Sequence, residues 1–134
     1  GSSHNERGWG YFQKGFHEYA PHNKHQEANR YYEMASVEFK KAISENEGDV
    51  AAHRNLARVY HVQQKYALSA REYKRVTELS PEDVDAYVNL AVAYSHLHRY
   101  DEAIEQLKLA KTKTNDPGAI GKLDGYIEKL EKAR

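Results

Sequence analysis

Apolar residues in this chain recur at helical spacing, and the pattern repeats every 34 residues. His53, Leu56, Ala57 and Tyr60 stand at i, i+3, i+4 and i+7, as do Tyr87, Leu90, Ala91 and Tyr94. That spacing marks one face of an α-helix. A second stripe follows each: Tyr66, Ser69, Ala70, Tyr73 and Val76, then Tyr100, Ala103, Ile104, Leu107 and Ala110. Sliding the chain by 34 puts Asp49 on Asp83, Asn55 on Asn89, Tyr60 on Tyr94 and Lys74 on Lys108 without a gap. An earlier copy of the second stripe reads Tyr32, Ala35, Ser36, Phe39 and Ala42. A fixed period of this length predicts stacked supersecondary units. The small residues Ala57, Ala91, Ala35, Ser69 and Ala103 let two backbones approach, and tyrosine rings fill the space beside them.

The polar punctuation agrees with paired helices. Gly48 is expected to end a helix in the left-handed conformation and Asp49 to cap the next. Ser80-Pro81-Glu82-Asp83 predicts a capping serine with proline at the first helical position, and Asp116-Pro117 repeats the start signal. The links near Gln64 and His98 are short enough for antiparallel hairpins only.

The two ends are less regular. Trp9, Phe12, Phe16 and Tyr19 form a helical stripe that Pro21 ends. From Tyr19 to Tyr32 the chain is seven residues longer than from Tyr60 to Tyr66. Either a long loop lies near 21–25, or the second helix extends backwards through Gln26 and Glu27. Ile120, Leu123, Ile127 and Leu130 form an apolar stripe with charges outside it, as a closing helix requires. Residues 1–4 read as an expression-tag remnant and carry no weight in the fold.

These motifs resemble the tetratricopeptide repeat family. The stretch "AYVNLAVAY…RYDEAIEQLKLA" carries the likeness best, and "AAHRNLARVY…KYALSAREYKRV…SP" follows. His53 replaces the aromatic at the start of one helix, and Gln64 and His98 replace the turn glycine. The resemblance implies an all-α, right-handed superhelical solenoid of antiparallel helix hairpins with a C-terminal capping helix. Residues 5–49 would be a divergent first hairpin with an irregular link, 50–83 and 84–117 two full repeats, and 118–134 the cap.

Composition narrows the function. The 134 residues hold 20 Lys plus Arg and 20 Asp plus Glu, for a formal net charge of zero. That balance offers no general attraction for nucleic acid, so the tyrosines read as core and not as a base-stacking platform. No cysteine is present, which removes thiol chemistry and thiolate metal sites. No apolar run is long enough to span a membrane. His17, His22 and His25 cluster near Pro21 without completing a four-ligand set, so no metal and no cofactor is expected. No catalytic constellation is evident, and no enzyme activity is expected. Glu38, Lys40, Lys41, Glu72, Lys74 and Arg75 read as a wet outer face.

The resemblance also places a concave binding face on the first helices. In one repeat it would carry Arg54, Asn55, Arg58 and His61; in the next Asp85, Val88, Asn89, Val92, Ser95 and His96. Arg54, Arg58 and His61 project from one side of one helix. Two readings stand for them: a solvated stripe, or a receiver for a carboxylate, which arginine forks suit. Val88 and Val92 would supply an apolar floor. The expected function is non-catalytic binding of a protein or peptide partner, as adaptor or scaffold. Alternatives are a homo-oligomeric scaffold docking Trp9 or Tyr11, a co-chaperone carboxylate clamp, or a regulatory module of a larger protein. The clamp lacks a basic pair, since its slots hold Asp85 and Asn89, with only Lys122 following.

Overall fold

The structure is a computed structural model that describes residues 2–134. It consists of helices joined by short turns, with no strand among the described residues. Helix α1 (Ser3–Gln13) runs on through a π-helical turn (Lys14–Tyr19) and a 3-10 turn (Ala20–His22). Then come α2 (His25–Glu45), α3 (Val50–Val62), α4 (Tyr66–Leu79), α5 (Val84–His96), α6 (Tyr100–Lys111) and α7 (Pro117–Ala133). The chain falls into two compact units, one ending at Lys65 and the other starting at Tyr66.

In the first unit α1 packs on α2 and α2 on α3. The buried positions of the first helix are Asn5, Gly8, Phe12 and Gly15. The stripe expected from Trp9, Phe12, Phe16 and Tyr19 is therefore rotated: Trp9 and Phe16 remain 36% and 44% exposed. Glycine explains the rotation. A methyl group added at Gly8 would lie 2.7 Å from the Phe39 ring, and one at Gly15 would lie 2.9 Å from the Ala28 carbonyl oxygen. Fully buried Phe39 on α2 fills the space left at Gly8, and Ala28, Tyr31 and Tyr32 fill that at Gly15. Ser2, set aside with the terminal residues in the sequence reading, accepts a hydrogen bond from the Asn5 amide at 3.2 Å and caps α1.

The seven surplus residues of the first hairpin lie inside a helix. Helix α2 starts seven residues before Tyr32 (32 − 25), whereas α4 starts at Tyr66 itself and α6 at Tyr100. Seven residues make nearly two helical turns, so the buried face keeps its register. Ala28, Tyr32, Ala35, Ser36, Phe39 and Ala42 continue it.

Three turns share one geometry. Asn23, Gln64 and His98 have φ of 61°, 60° and 59°. After each, an amide reaches back five residues: Lys24 to the Tyr19 carbonyl at 3.0 Å, Lys65 to Tyr60 at 2.8 Å, Arg99 to Tyr94 at 2.9 Å. These are left-handed helix stops that satisfy carbonyls otherwise left without a partner. The expected left-handed Gly48 is absent; α2 ends through an extended Asn46 whose side chain accepts from the Gly48 amide.

Helix starts depend on aspartate. Asp49, Asp83 and Asp116 accept from the amides of Ala52, Ala86 and Ala119 at 3.0, 3.3 and 3.1 Å. Asp83 thus displaces Ser80 from the capping role expected of it; Ser80 instead closes the end of α4 through its own amide, which bonds Val76. Asn5 donates to the second oxygen of Asp49 at 2.8 Å, tying α1 to the start of α3.

Glu38 and Glu72, expected on a wet face, are both buried at 8% exposure. Glu38 explains itself by its partners: His4 and Arg7 of α1 reach one oxygen at 2.9 and 3.0 Å, and Lys41 reaches the other at 3.3 Å. Those hydrogen bonds, His4 first, hold the carboxyl down to about 2.

In the second unit α4 packs on α5, α5 on α6, and α6 on α7. Leu90, Leu107, Val76 and Ser69 are fully buried, with Ala91, Ala103 and Ala110 at the close approaches. Leu123, Ile127 and Leu130 bury the inner stripe of α7. Lys111 of α6 pairs with Asp124 of α7 at 2.5 Å.

Candidate functional site

In the first unit Arg54, Asn55, Arg58 and His61 are half-buried along α3. Helical spacing sets Arg54, Arg58 and His61 on one side of α3. Arg58 is engaged within the unit: its guanidinium lies 5.6 Å from the centre of the Trp9 ring. This is a cation–π contact. Trp9 in turn stacks on Phe12 at 5.5 Å, and Phe12 on Phe16 at 5.7 Å. The result is a strip of aromatic rings with an arginine laid over one end. Arg58 makes no ion pair among the described residues, so its hydrogen-bond donors remain available to an anion.

In the second unit the α5 positions meet α7. Asp85 and Val88 line a pocket of ≈ 240 Å³ with Val84, Ala119, Lys122, Leu123 and Tyr126. Val92, Ser95 and His96 line another of ≈ 320 Å³ with Tyr100, Tyr126, Lys129 and Leu130. Tyr126 belongs to both. Its hydroxyl lies 3.2 Å from Ser95 Oγ. Ser95 already donates its single proton to the Ala91 carbonyl at 2.8 Å, so Tyr126 is the donor between the two hydroxyls. His96 stacks flat on Tyr66, 4.0 Å between ring centres. Asn89 is half-buried but lines neither pocket.

Five of the six α5 residues expected at a binding face therefore line open concave surface. Sequence reasoning missed Tyr126 and Lys129, because α7 was read for the apolar stripe that buries it and, beyond that stripe, for Lys122 alone. The signal was present: Lys122, Tyr126 and Lys129 stand at i, i+4 and i+7, as Arg54, Arg58 and His61 do. Among the described residues, no group of histidines and carboxylates is placed to hold a metal ion. Among the described residues, no helix is long and apolar enough to cross a membrane.

Comparison with known proteins now bears on the fold. The family described as "Tetratricopeptide repeat" matches residues 56–120. The second TPR domain of human RPAP3, solved in complex with the HSP70 peptide SGPTIEEVD, superposes with a TM-score of 0.72 at 19% identity, covering 96% of this chain and 92% of that one. Residues 56–120 thus match the tetratricopeptide repeat family, and the chain has the tetratricopeptide fold. The TPR2B domain of yeast Sti1, in a complex with pHsp70, matches at TM-score 0.70 and 18% identity, over 96% and 99% of the two chains. The type III secretion translocator chaperone SycD of Yersinia enterocolitica matches at 0.70 and 16%, over 93% and 83%. No curated protein matches the chain in sequence. At these identities the likeness is one of fold.

Proposed function

We propose that this chain is a non-catalytic protein–protein interaction module that takes a peptide segment of a partner, serving as adaptor or scaffold. The residues assigned to that task are Arg54, Asn55, Arg58 and His61 on α3, and Asp85, Val88, Asn89, Val92, Ser95 and His96 on α5. One observation carries the reading: α5 and α7 leave two adjoining pockets open, floored by Val88 and Val92 and rimmed by polar groups. Concave apolar surface with a few placed polar groups is what ligand sites are made of. One of the similar structures holds an HSP70 peptide, which supports the same reading.

Arg54 and Arg58 are assigned to a carboxylate of the peptide. A carboxylate at Arg58 would disturb the charge over Trp9, the only tryptophan in the chain. The test is selection of binders from a displayed peptide library on the whole chain, followed by titration read through Trp9 emission. Binding is expected with an emission change that Arg58→Glu abolishes. A library that yields no binder would overturn the reading. Homo-oligomeric docking through Trp9 or Tyr11 gains less support, since Trp9 stacks on Phe12 and Tyr11 lies 6.3 Å from the Tyr31 ring. Light scattering over a concentration series separates the two.

A further inference from the structure

The chain holds 11 tyrosines, and their surroundings differ. Tyr32, Tyr60, Tyr73, Tyr87 and Tyr94 are buried in the core. Tyr66, Tyr100 and Tyr126 are half-buried and have His96, His98 and Ser95 as neighbours. Tyr11, Tyr19 and Tyr31 lie together on the first hairpin, each half-buried. The Tyr19 and Tyr31 rings stack, 5.2 Å between centres and 14° from parallel. Tyr31 meets Tyr11 less closely, at 6.3 Å and 39°. Tyr31 also holds the Tyr19 hydroxyl above its ordinary pKa of 10.0, first by hydrogen bonding and then by charge. The two phenol oxygens therefore sit at the same end of the stack, and the ortho carbons beside them face each other. The ammonium groups of Lys14 and Lys24 lie 5.2 and 6.0 Å from the ring centres of Tyr31 and Tyr19.

The backbone builds this pair. A π-helical turn closes each hydrogen bond over one more residue than an α-helix does, and such turns recur at functional sites. In the turn Lys14–Tyr19, Phe16 continues the aromatic strip from Phe12, whereas Tyr19 is rotated off that strip and onto α2. Gly15, in the same turn, has no side chain to hold α2 away.

Two phenols so placed share a chemistry. A one-electron oxidant takes an electron from each, and each hydroxyl loses its proton. The spin of a phenoxyl radical rests on its oxygen and its ring carbons, the ortho carbons among them. Two facing radicals couple through one ortho carbon each, and a carbon–carbon bond forms. Each coupled carbon then sheds its proton, and a proton returns to each phenol oxygen. The net change passes two electrons and two protons to the oxidant, so that one hydrogen peroxide becomes two waters.

We propose that Tyr19 and Tyr31 are an oxidative cross-linking site, where peroxide-driven one-electron oxidation joins the two rings into an intrachain dityrosine that ties the π-helical turn to α2. The bond closes the chain between residues 19 and 31 and restricts the unfolded state, as a covalent loop closure does. The proposal is independent of peptide binding.

The test treats the whole chain, in dilute solution, with a peroxidase and hydrogen peroxide. Dityrosine fluorescence should appear in the monomer, at a yield that does not depend on protein concentration. The product should melt at a higher temperature than the parent. Tryptic digestion should release peptides 15–24 and 31–40 joined, two hydrogens lighter than their sum. Tyr19→Phe and Tyr31→Phe should each lose the monomer's fluorescence, and Tyr11→Phe should keep it. The same treatment in urea should lose it as well, because the rings then have no fixed geometry. Fluorescence kept by Tyr19→Phe, or a yield unchanged in urea, would overturn the proposal. So would dityrosine confined to cross-linked dimers, or oxidation of Trp9 that leaves the two tyrosines unjoined.

Discussion

His53 and Tyr87 make the same hydrogen bond one repeat apart. His53 Nε2 donates to the Glu47 carbonyl at 2.8 Å, and the Tyr87 hydroxyl donates to the Pro81 carbonyl at 2.8 Å. Each side chain reaches back six residues to hold the turn that precedes its helix. Both are buried. The imidazole that breaks the aromatic pattern in the sequence is thus a substitute, not an exception: it is flat, about as deep, and carries a donor at its tip.

That equivalence is open to a direct check. His53→Tyr should hold the bond and stay within about 1 kcal/mol of the parent. His53→Phe fills the space but leaves the carbonyl unpaired, and should cost about 1–3 kcal/mol. Urea unfolding of the two variants decides it. Equal losses would mean that the turn does not depend on the donor.

The left-handed turns make a second case. Gln64 and His98 occupy a conformation that costs a residue with a Cβ about 1–2 kcal/mol. Gln64 is exposed there. Gln64→Gly should therefore raise the melting temperature by a few degrees, equivalent to about 1 kcal/mol. His98→Gly should gain less, because His98 Nδ1 bonds the Tyr100 hydroxyl at 2.8 Å. A melting temperature lowered by Gln64→Gly would contradict the turn geometry.

These two cases show where sequence was enough. A 34-residue interval located both turns and both tyrosine-ended helices, since periodicity is imposed by packing and survives single departures. It could not rank Ser80 against Asp83 as a cap, because both are good capping residues and the winner depends on where the chain leaves α4. It also misplaced Glu38, since the partners that bury it, His4 and Arg7, lie on a helix of uncertain register. The α5 half of the candidate site was legible through repeat equivalence. The α7 half was not, because a closing helix has no later copy to be compared with.

Glycines in the first helix give opposite expectations from one chemistry. Gly10 has nothing within 4 Å of an added methyl, whereas Gly8 has the Phe39 ring at 2.7 Å. Gly10→Ala should stabilise by about 1 kcal/mol through helix propensity. Gly8→Ala gains the same propensity but must push a fully buried ring, and should lose about 1–3 kcal/mol net. Chemical denaturation of both variants tests the rotated stripe. If Gly8→Ala matched Gly10→Ala, α1 would not pack through its glycine face.

Glu38 predicts how the chain responds to acid. Its carboxyl has an ordinary value of 4.5 and is held at about 2 in the folded chain, chiefly by His4, then by Arg7 and Lys41. Between those two values the unfolded chain binds the proton and the folded chain does not. Stability from this group is therefore fully present above about pH 4.5 and drains away as pH falls toward 2. Glu38→Gln should lower stability at neutral pH by about 1–2 kcal/mol, with the solvent around Arg7 and Lys41 limiting the loss. It should also flatten the acid limb, because no titrating group remains at that position. Urea midpoints of parent and variant, measured from neutral pH down through this window, should converge as the pH falls. Parallel curves would mean that Glu38 is not held by its α1 partners, and that α1 is tied to α2 by its glycine face alone.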